Sequence, residues 1–217
     1  MNDYIESTSE SQGHGKAVEI EILCNCFGYC KDTICRYKHT EKYDGLKEDS
    51  LDGRNKSIKM TGKNAPDCGD IIRFLESEEM DLIILKYEQR GDYKYITETV
   101  SIGFEVILEK IKKGIQEKYG KGYNEWVNDI REYIKSVKDA PRNASIKELP
   151  NKRELELPYF GIRPKTSQNR VQCELKLKHL LPMLDDTEYK IERGGEMNGK
   201  KYISKVLSPP RRRVKKS

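Results

Sequence analysis

The sequence predicts an α+β protein: a small cysteine-rich segment near the N-terminus, then a body of mixed helices and strands, with polar ends. Three observations carry this. Apolar residues recur at helical spacing over residues 104–119 and 123–138. Short alternating or unbroken apolar runs, the mark of strands, flank those helices. Four of the six cysteines crowd into residues 24–35.

Composition sets the limits. The chain has 217 residues, enough for one domain or one domain with appendages. Hydrophobic residues make up 35% and charged residues 35%, against usual shares of about 45–50% and about 25%. A core is therefore expected over only part of the length. No apolar run approaches the roughly 18 residues of a membrane span. The opening MNDYIESTSESQGHG has no apolar segment and does not read as a secretory signal. The expected setting is intracellular, with reduced cysteines, and grouped cysteines there point to metal rather than disulfides.

The net charge of +5 is unevenly placed. Arg211, Arg212, Arg213, Lys215 and Lys216 supply five basic groups in the last seven residues. Removing those five from 41 leaves as many basic residues as the 36 acidic ones. A neutral body with a basic tail reads as a nucleic-acid contact or a nuclear localisation signal, so the expected location is cytoplasmic, nuclear or both.

Taken in order, residues 1–16 are Ser-, Glu- and Gly-rich and read as a disordered arm. Residues 18–23, VEIEIL, alternate apolar and acidic side chains and read as a strand that opens an 18–40 finger. Residues 41–66 are polar, with few large apolar side chains, and read as a linker. The body spans 67–207. It opens on Asp67 as the N-cap of a helix bearing Ile71, Ile72, Phe74 and Leu75. Residues 81–87 and 92–100 are strand-like around Arg90-Gly91-Asp92, which suggests a hairpin. Phe104, Ile107, Leu108, Ile111 and Ile115 make one apolar helix stripe. Trp126, Val127, Ile130, Tyr133, Ile134 and Val137 make a second, stopped by Pro141. ELELPYFGI reads as a strand, RVQCELKLKHLLPML as strand or helix, and EYKIERGGEMNGKKYISKV as two strands around a glycine-rich turn. Cys68 and Cys173 are isolated and read as small core residues. The basic tail covers 208–217.

The cysteine cluster carries the most chemistry. Cys30, Cys35 and His39 are separated by four and three residues, with Cys26 and Cys24 upstream. Zinc takes four thiolate or imidazole ligands in a tetrahedron, and three thiolates with one imidazole make a closed structural site. Lys31, Arg36 and Lys38 would offset its negative charge and favour the thiolates.

Here the chain resembles the CCCH zinc fingers. Gly28 and Tyr29 precede Cys30, Lys31 follows it, and Tyr37 lies two residues before His39, as in that family. The departure is at the first ligand, which the family places seven or eight residues before the second. Cys24 comes nearer to that spacing than Cys26, and Cys26 is the alternative. The resemblance covers about 16 residues, from Cys24 to His39. A single such finger before a helical body also resembles viral transcription factors, the antitermination factor of pneumoviruses and the transcription-activating minor nucleoprotein of filoviruses.

That resemblance implies a zinc-dependent, non-enzymatic regulatory or viral transcription factor that binds single-stranded RNA. Tyr29, Lys31, Arg36, Tyr37 and Lys38 would meet RNA with the basic tail; the body would serve protein partners or a homo-oligomer. Aromatic rings stack bases, and basic groups track phosphates. Tyr87, Tyr93 and Tyr95 could form a stacking sheet or ordinary cross-strand packing. One competing reading is a zinc-stabilised protein-interaction module; the other is a magnesium-dependent nuclease with a structural zinc. Its catalytic set would be Asp67 with Asp92-Tyr93-Lys94, an acid, then an acid and a lysine two apart.

Overall fold

The structure is a computed structural model and describes residues 3–6, 13–37 and 42–209. Its elements run in chain order: α1 (Gly13–Phe27), α2 (Lys31–Cys35), β1 (Asn55–Thr61), β2 (Asp67–Asp70), α3 (Ile71–Leu75), β3 (Met80–Arg90), β4 (Tyr93–Gly103), α4 (Phe104–Tyr119), α5 (Tyr123–Asp139), β5 (Phe160–Lys165), β6 (Arg170–Leu175), α6 (Leu177–Leu180), β7 (Tyr189–Arg193), β8 (Glu196–Met197), β9 (Lys200–Lys201) and β10 (Lys205–Leu207). The protein is α+β. The chain forms two compact units. One is Met1–Lys63 with Asp81–Ser101 and Lys190–Ser217; the other is Asn64–Met80 with Ile102–Tyr189.

The first unit is built on a five-stranded sheet in the order β1-β3-β4-β10, with β7 also paired to β4. The β3–β4 hairpin turns at Gly91-Asp92, as its sequence suggested. α1 supplies one side of the core. Val18, Ile22, Leu23, Cys26 and Phe27 are buried with Ile58, Ile83, Leu85, Ile96, Tyr202 and Val206. Those five positions fall at i, i+4, i+5, i+8 and i+9, one helical face. The expected strand over 18–23 is therefore corrected to helix. Glu19 and Glu21 alternate with Ile20 and Ile22, so the segment carries a period of two as well, and packing decides for the longer stripe.

Two further expectations change in this unit. Residues 18–40 do not stand apart as a finger, because α1 and Tyr29 belong to the same core as the sheet. Residues 41–66 are not a linker. They contain β1, a strand buried at Asn55, Lys56, Ser57 and Ile58. Lys56 is fully buried, yet Asp52 lies 2.6 Å and Asp81 2.7 Å from its ammonium, and it caps the Phe27 ring at 4.7 Å. A buried lysine is tolerable only with such partners. Half of the supposed N-terminal arm, eight of its sixteen residues, falls outside the described residues. Within it, Ile5 pairs in parallel with Val206 and is buried, and α1 starts at Gly13.

The second unit packs α4 and α5 with a three-stranded sheet, order β2-β6-β5. The helix stripes are buried as the sequence predicted, through Phe104, Ile107, Ile111 and Ile115, and through Trp126, Ile130 and Val137. Phe74 meets Phe104 edge-on at 5.1 Å, and Trp126 meets Phe160 at 5.8 Å. Asp67 is not a helix cap. It starts β2, and Asp70 caps α3 by accepting the Arg73 amide at 3.0 Å. The ambiguous stretch at 170–184 resolves into β6 followed by α6. Cys68 and Cys173 are both buried there, Cys68 beside the Cys173 thiol.

Candidate functional site

Two regions of the first unit gather chemically active side chains. The first is the cysteine segment. α1 ends at Gly28, which adopts the left-handed φ of +77° that a side chain resists, and the Tyr29 amide turns back to the Leu23 carbonyl at 3.1 Å. That reversal brings Cys30 and Cys35, at the two ends of α2, towards Cys24 on α1. Burial pushes the Cys24 thiol up, and the neighbouring charges of Cys30 and Cys35 push it the same way, while Lys31 opposes them. Cys26 points elsewhere. It is buried in the core, and burial raises its thiol to about 11 against the pull of Lys200. Of the two alternatives for a first ligand, Cys24 is thus the one within electrostatic reach of Cys30 and Cys35. The exposed Cys30 thiol is held below its usual range by the amides of Thr33 and Asp32. They favour the thiolate electrostatically, although no cap hydrogen bond closes within ordinary limits.

The remaining residues of the expected zinc and RNA site divide. Tyr29 is corrected: it is buried, and its hydroxyl donates to the Leu46 carbonyl at 3.0 Å, so its ring is not available for stacking. Tyr37 is half-buried, and its hydroxyl donates to Asp49 at 2.6 Å. Lys31 and Arg36 are exposed. Lys38, His39, Arg211, Arg212, Arg213, Lys215 and Lys216 lie outside the described residues.

The second region was missed in the sequence. Asp44 precedes Gly45, which bridges Lys56 on β1 in antiparallel fashion. A side chain at Gly45 would meet the Leu23 side chain and the Tyr29 ring at 2.8 Å, so only glycine lets this segment lie against α1. The Asp44 carboxylate accepts the Ile58 amide at 2.7 Å and the Lys59 ammonium at 3.1 Å through one oxygen. Glu19 faces it from α1. Burial and then the Asp44 charge push the Glu19 carboxyl up to about 7, against the pull of Lys59 and Lys16. Lys16 lies 4.0 Å from Glu19. Asp44 and Lys59 are thus in contact, with Glu19 within electrostatic reach of both, and all three side chains are only 20–25% exposed.

The expected set of Asp67, Asp92 and Lys94 takes a different form. Asp92 sits in the β3–β4 turn. Asp67 lies opposite Glu174 on β6, in the run Glu174-Leu175-Lys176, which has the acid–x–lysine spacing. Arg163 reaches both acids, at 4.0 and 3.3 Å. One guanidinium spans both acids, and the Arg163 and Asp67 side chains are each 41% exposed, which marks a surface ion network. Tyr93 and Tyr95 do pack together, with ring centroids 6.4 Å apart, but Lys205 and Arg90 near them are paired with Asp3 and Glu88.

Among the described residues, no group of three or more His, Cys, Asp or Glu side chains is arranged to hold a metal ion. Magnesium differs from zinc in needing only one or two carboxylates, the rest of its octahedron being water and substrate phosphate. Among the described residues, no helix is long and apolar enough to cross a membrane. No protein-family model, curated protein or solved structure matches the chain.

Proposed function

We propose that the protein is a magnesium-dependent nuclease with its site at Glu19, Asp44 and Lys59. The observation that carries this is the convergence of α1 and β1 on one carboxylate, with the Lys59 ammonium 3.1 Å from Asp44 and Glu19 close enough to feel its charge. Glu19 and Asp44 would hold the ion, which polarises a phosphate when bound. Lys59 would steady the attacking water and offset charge developing on the phosphate. The raised Glu19 carboxyl supports the same reading, because perturbed acids cluster at functional sites. The basic tail fits a polyanionic substrate.

The test is cleavage of labelled RNA and DNA, single-stranded and duplex, by the full chain with magnesium. Cleavage that is lost with chelator and in Asp44→Asn, the variant retaining the wild-type circular dichroism spectrum, is the expected result. No cleavage of any substrate with magnesium or manganese overturns the reading, as does a fully active Asp44→Asn.

A second reading rests on Cys24, Cys30 and Cys35 sharing one neighbourhood. With His39 they would hold a structural zinc, and the segment would bind single-stranded RNA in a regulatory role without cleaving it. Zinc content near one per chain, with RNA binding lost on chelation and no cleavage, favours this reading over the first.

A further inference from the structure

We propose that the strand taken by the Glu19–Asp44–Lys59 site is unpaired nucleic acid, its bases stacked on Tyr37 and Tyr43 and its phosphates met by Lys16 and Lys42. The inference rests on the nuclease reading for its place and on separate observations for its content. Lys16 joins Glu19 to the first ring: its ammonium lies 4.0 Å from Glu19 and 6.0 Å from the Tyr37 centroid, over the ring. Tyr37 is fixed before any ligand arrives, because its hydroxyl is bound to Asp49 at 2.6 Å. It packs against the core and remains partly exposed. Tyr43 directly precedes Asp44 in the chain and is also half-buried, with the Lys42 ammonium 5.5 Å from its centroid.

Tyr37, anchored by Asp49, is linked to Glu19 through Lys16, Tyr43 adjoins Asp44 in the chain, and each ring has a lysine ammonium over it. That combination suits a single strand, whose bases have open faces and whose phosphates lie between them. A duplex stacks its bases on one another and leaves the rings nothing to stack with. Stacking is worth about 1–3 kcal/mol per base.

Fluorescence anisotropy on the full chain tests this, with short single-stranded and duplex oligonucleotides and calcium in place of magnesium, so that binding is read without turnover. The single strand should bind more tightly than the duplex. Tyr37→Ala and Tyr43→Ala should each weaken single-strand binding by about 5- to 150-fold. Tyr43→Phe should restore it, Tyr37→Phe should restore most of it, since the ring stays but its anchor to Asp49 is lost, and duplex binding should be indifferent to all four. RNA and DNA arms of the same sequence report whether the 2′-hydroxyl matters. Tighter binding of duplex, or single-strand affinity unchanged in both alanine variants, overturns the inference. Tyrosine-dependent single-strand binding without cleavage in magnesium overturns only the nuclease reading. Cleavage that ignores both tyrosines overturns only this one.

Discussion

The Lys59 ammonium stands 3.1 Å from Asp44 Oδ2, and the same oxygen accepts the amide of Ile58 at 2.7 Å. One carboxylate oxygen is thus fixed both by the backbone of β1 and by a side chain of that strand. The carboxylate needs no reorganisation to hold its place, which is the condition for electrostatic catalysis. The lysine, in turn, is aimed by its partner rather than by its flexible stem.

Replacing Lys59 with Met keeps the stem and removes the charge. On the nuclease reading, magnesium-dependent cleavage should fall by roughly 100-fold or more, the usual yield of a positioned proton-handling group. Single-strand affinity in calcium should change far less. Measured turnover equal to wild type would show that Lys59 only balances the charge of Asp44.

Lys56 makes a stability prediction that is independent of function. Its side chain is fully buried between Asp52 and Asp81. Lys56→Ala takes the buried cation from Asp52, whose side chain is 46% exposed, and from Asp81, which keeps the Arg54 guanidinium at 2.7 Å, and should cost about 1–3 kcal/mol. Denaturant unfolding measures this. A loss below about 1 kcal/mol would mean that water reaches both acids and the pair behaves as a surface one.

Why the fold was half legible follows from these residues. α4 and α5 show in the sequence because Ile107, Ile111 and Ile115, then Trp126, Ile130 and Val137, repeat at one period only. α1 is ambiguous because Glu19 and Glu21 alternate with Val18, Ile20 and Ile22. β1 is hidden because its buried positions include Lys56, and the acids that make that burial tolerable lie four and twenty-five residues away. The site inherits both errors: Glu19 sits on the misread helix, and Asp44 and Lys59 in the supposed linker. A usable signal was present. Lys56, Ile58 and Met60 alternate with Ser57 and Lys59, a strand pattern masked by two charges. The cysteine spacing was legible, but which of Cys24 and Cys26 faces Cys30 depends on the helix turning one of them into the core.

That difference can be measured. Cys24→Ser should lower zinc content and leave the fold nearly as stable, since Cys24 is only partly buried. Cys26→Ser should keep any zinc and destabilise, because it places a hydroxyl in the apolar core at a cost of about 1–3 kcal/mol. Elemental analysis and thermal unfolding on the same preparations read both effects. Equal zinc loss in the two variants would place Cys26 among the ligands. Since α1 is held by the sheet, stripping metal should lower the thermal midpoint without abolishing the cooperative transition.

Glu19 ties the site to stability. Its carboxyl holds its proton up to about pH 7 in the folded chain, against an ordinary value of 4.5. The folded state therefore binds a proton more tightly than the unfolded state. Stability from this group is complete below about pH 4.5 and falls as pH rises to about 7, because ionisation then places a charge in a buried site beside Asp44. The shift bounds the loss at roughly 1–3 kcal/mol, the lower end allowing for the fifth of the side chain that water still reaches. Lys59 and Lys16 offset part of the cost and Asp44 adds to it. Glu19→Gln keeps the shape and removes the titration. In metal-free buffer it should be more stable than wild type at pH 8 and nearly equal at pH 4.5, with cleavage abolished. Such a gain from removing a charged group is the mark of a residue kept for function at the expense of stability. Thermal unfolding of both proteins across that range decides the point. Parallel pH profiles would mean that Glu19 ionises normally in the folded chain, and would remove the electrostatic case for a pair that awaits a cation.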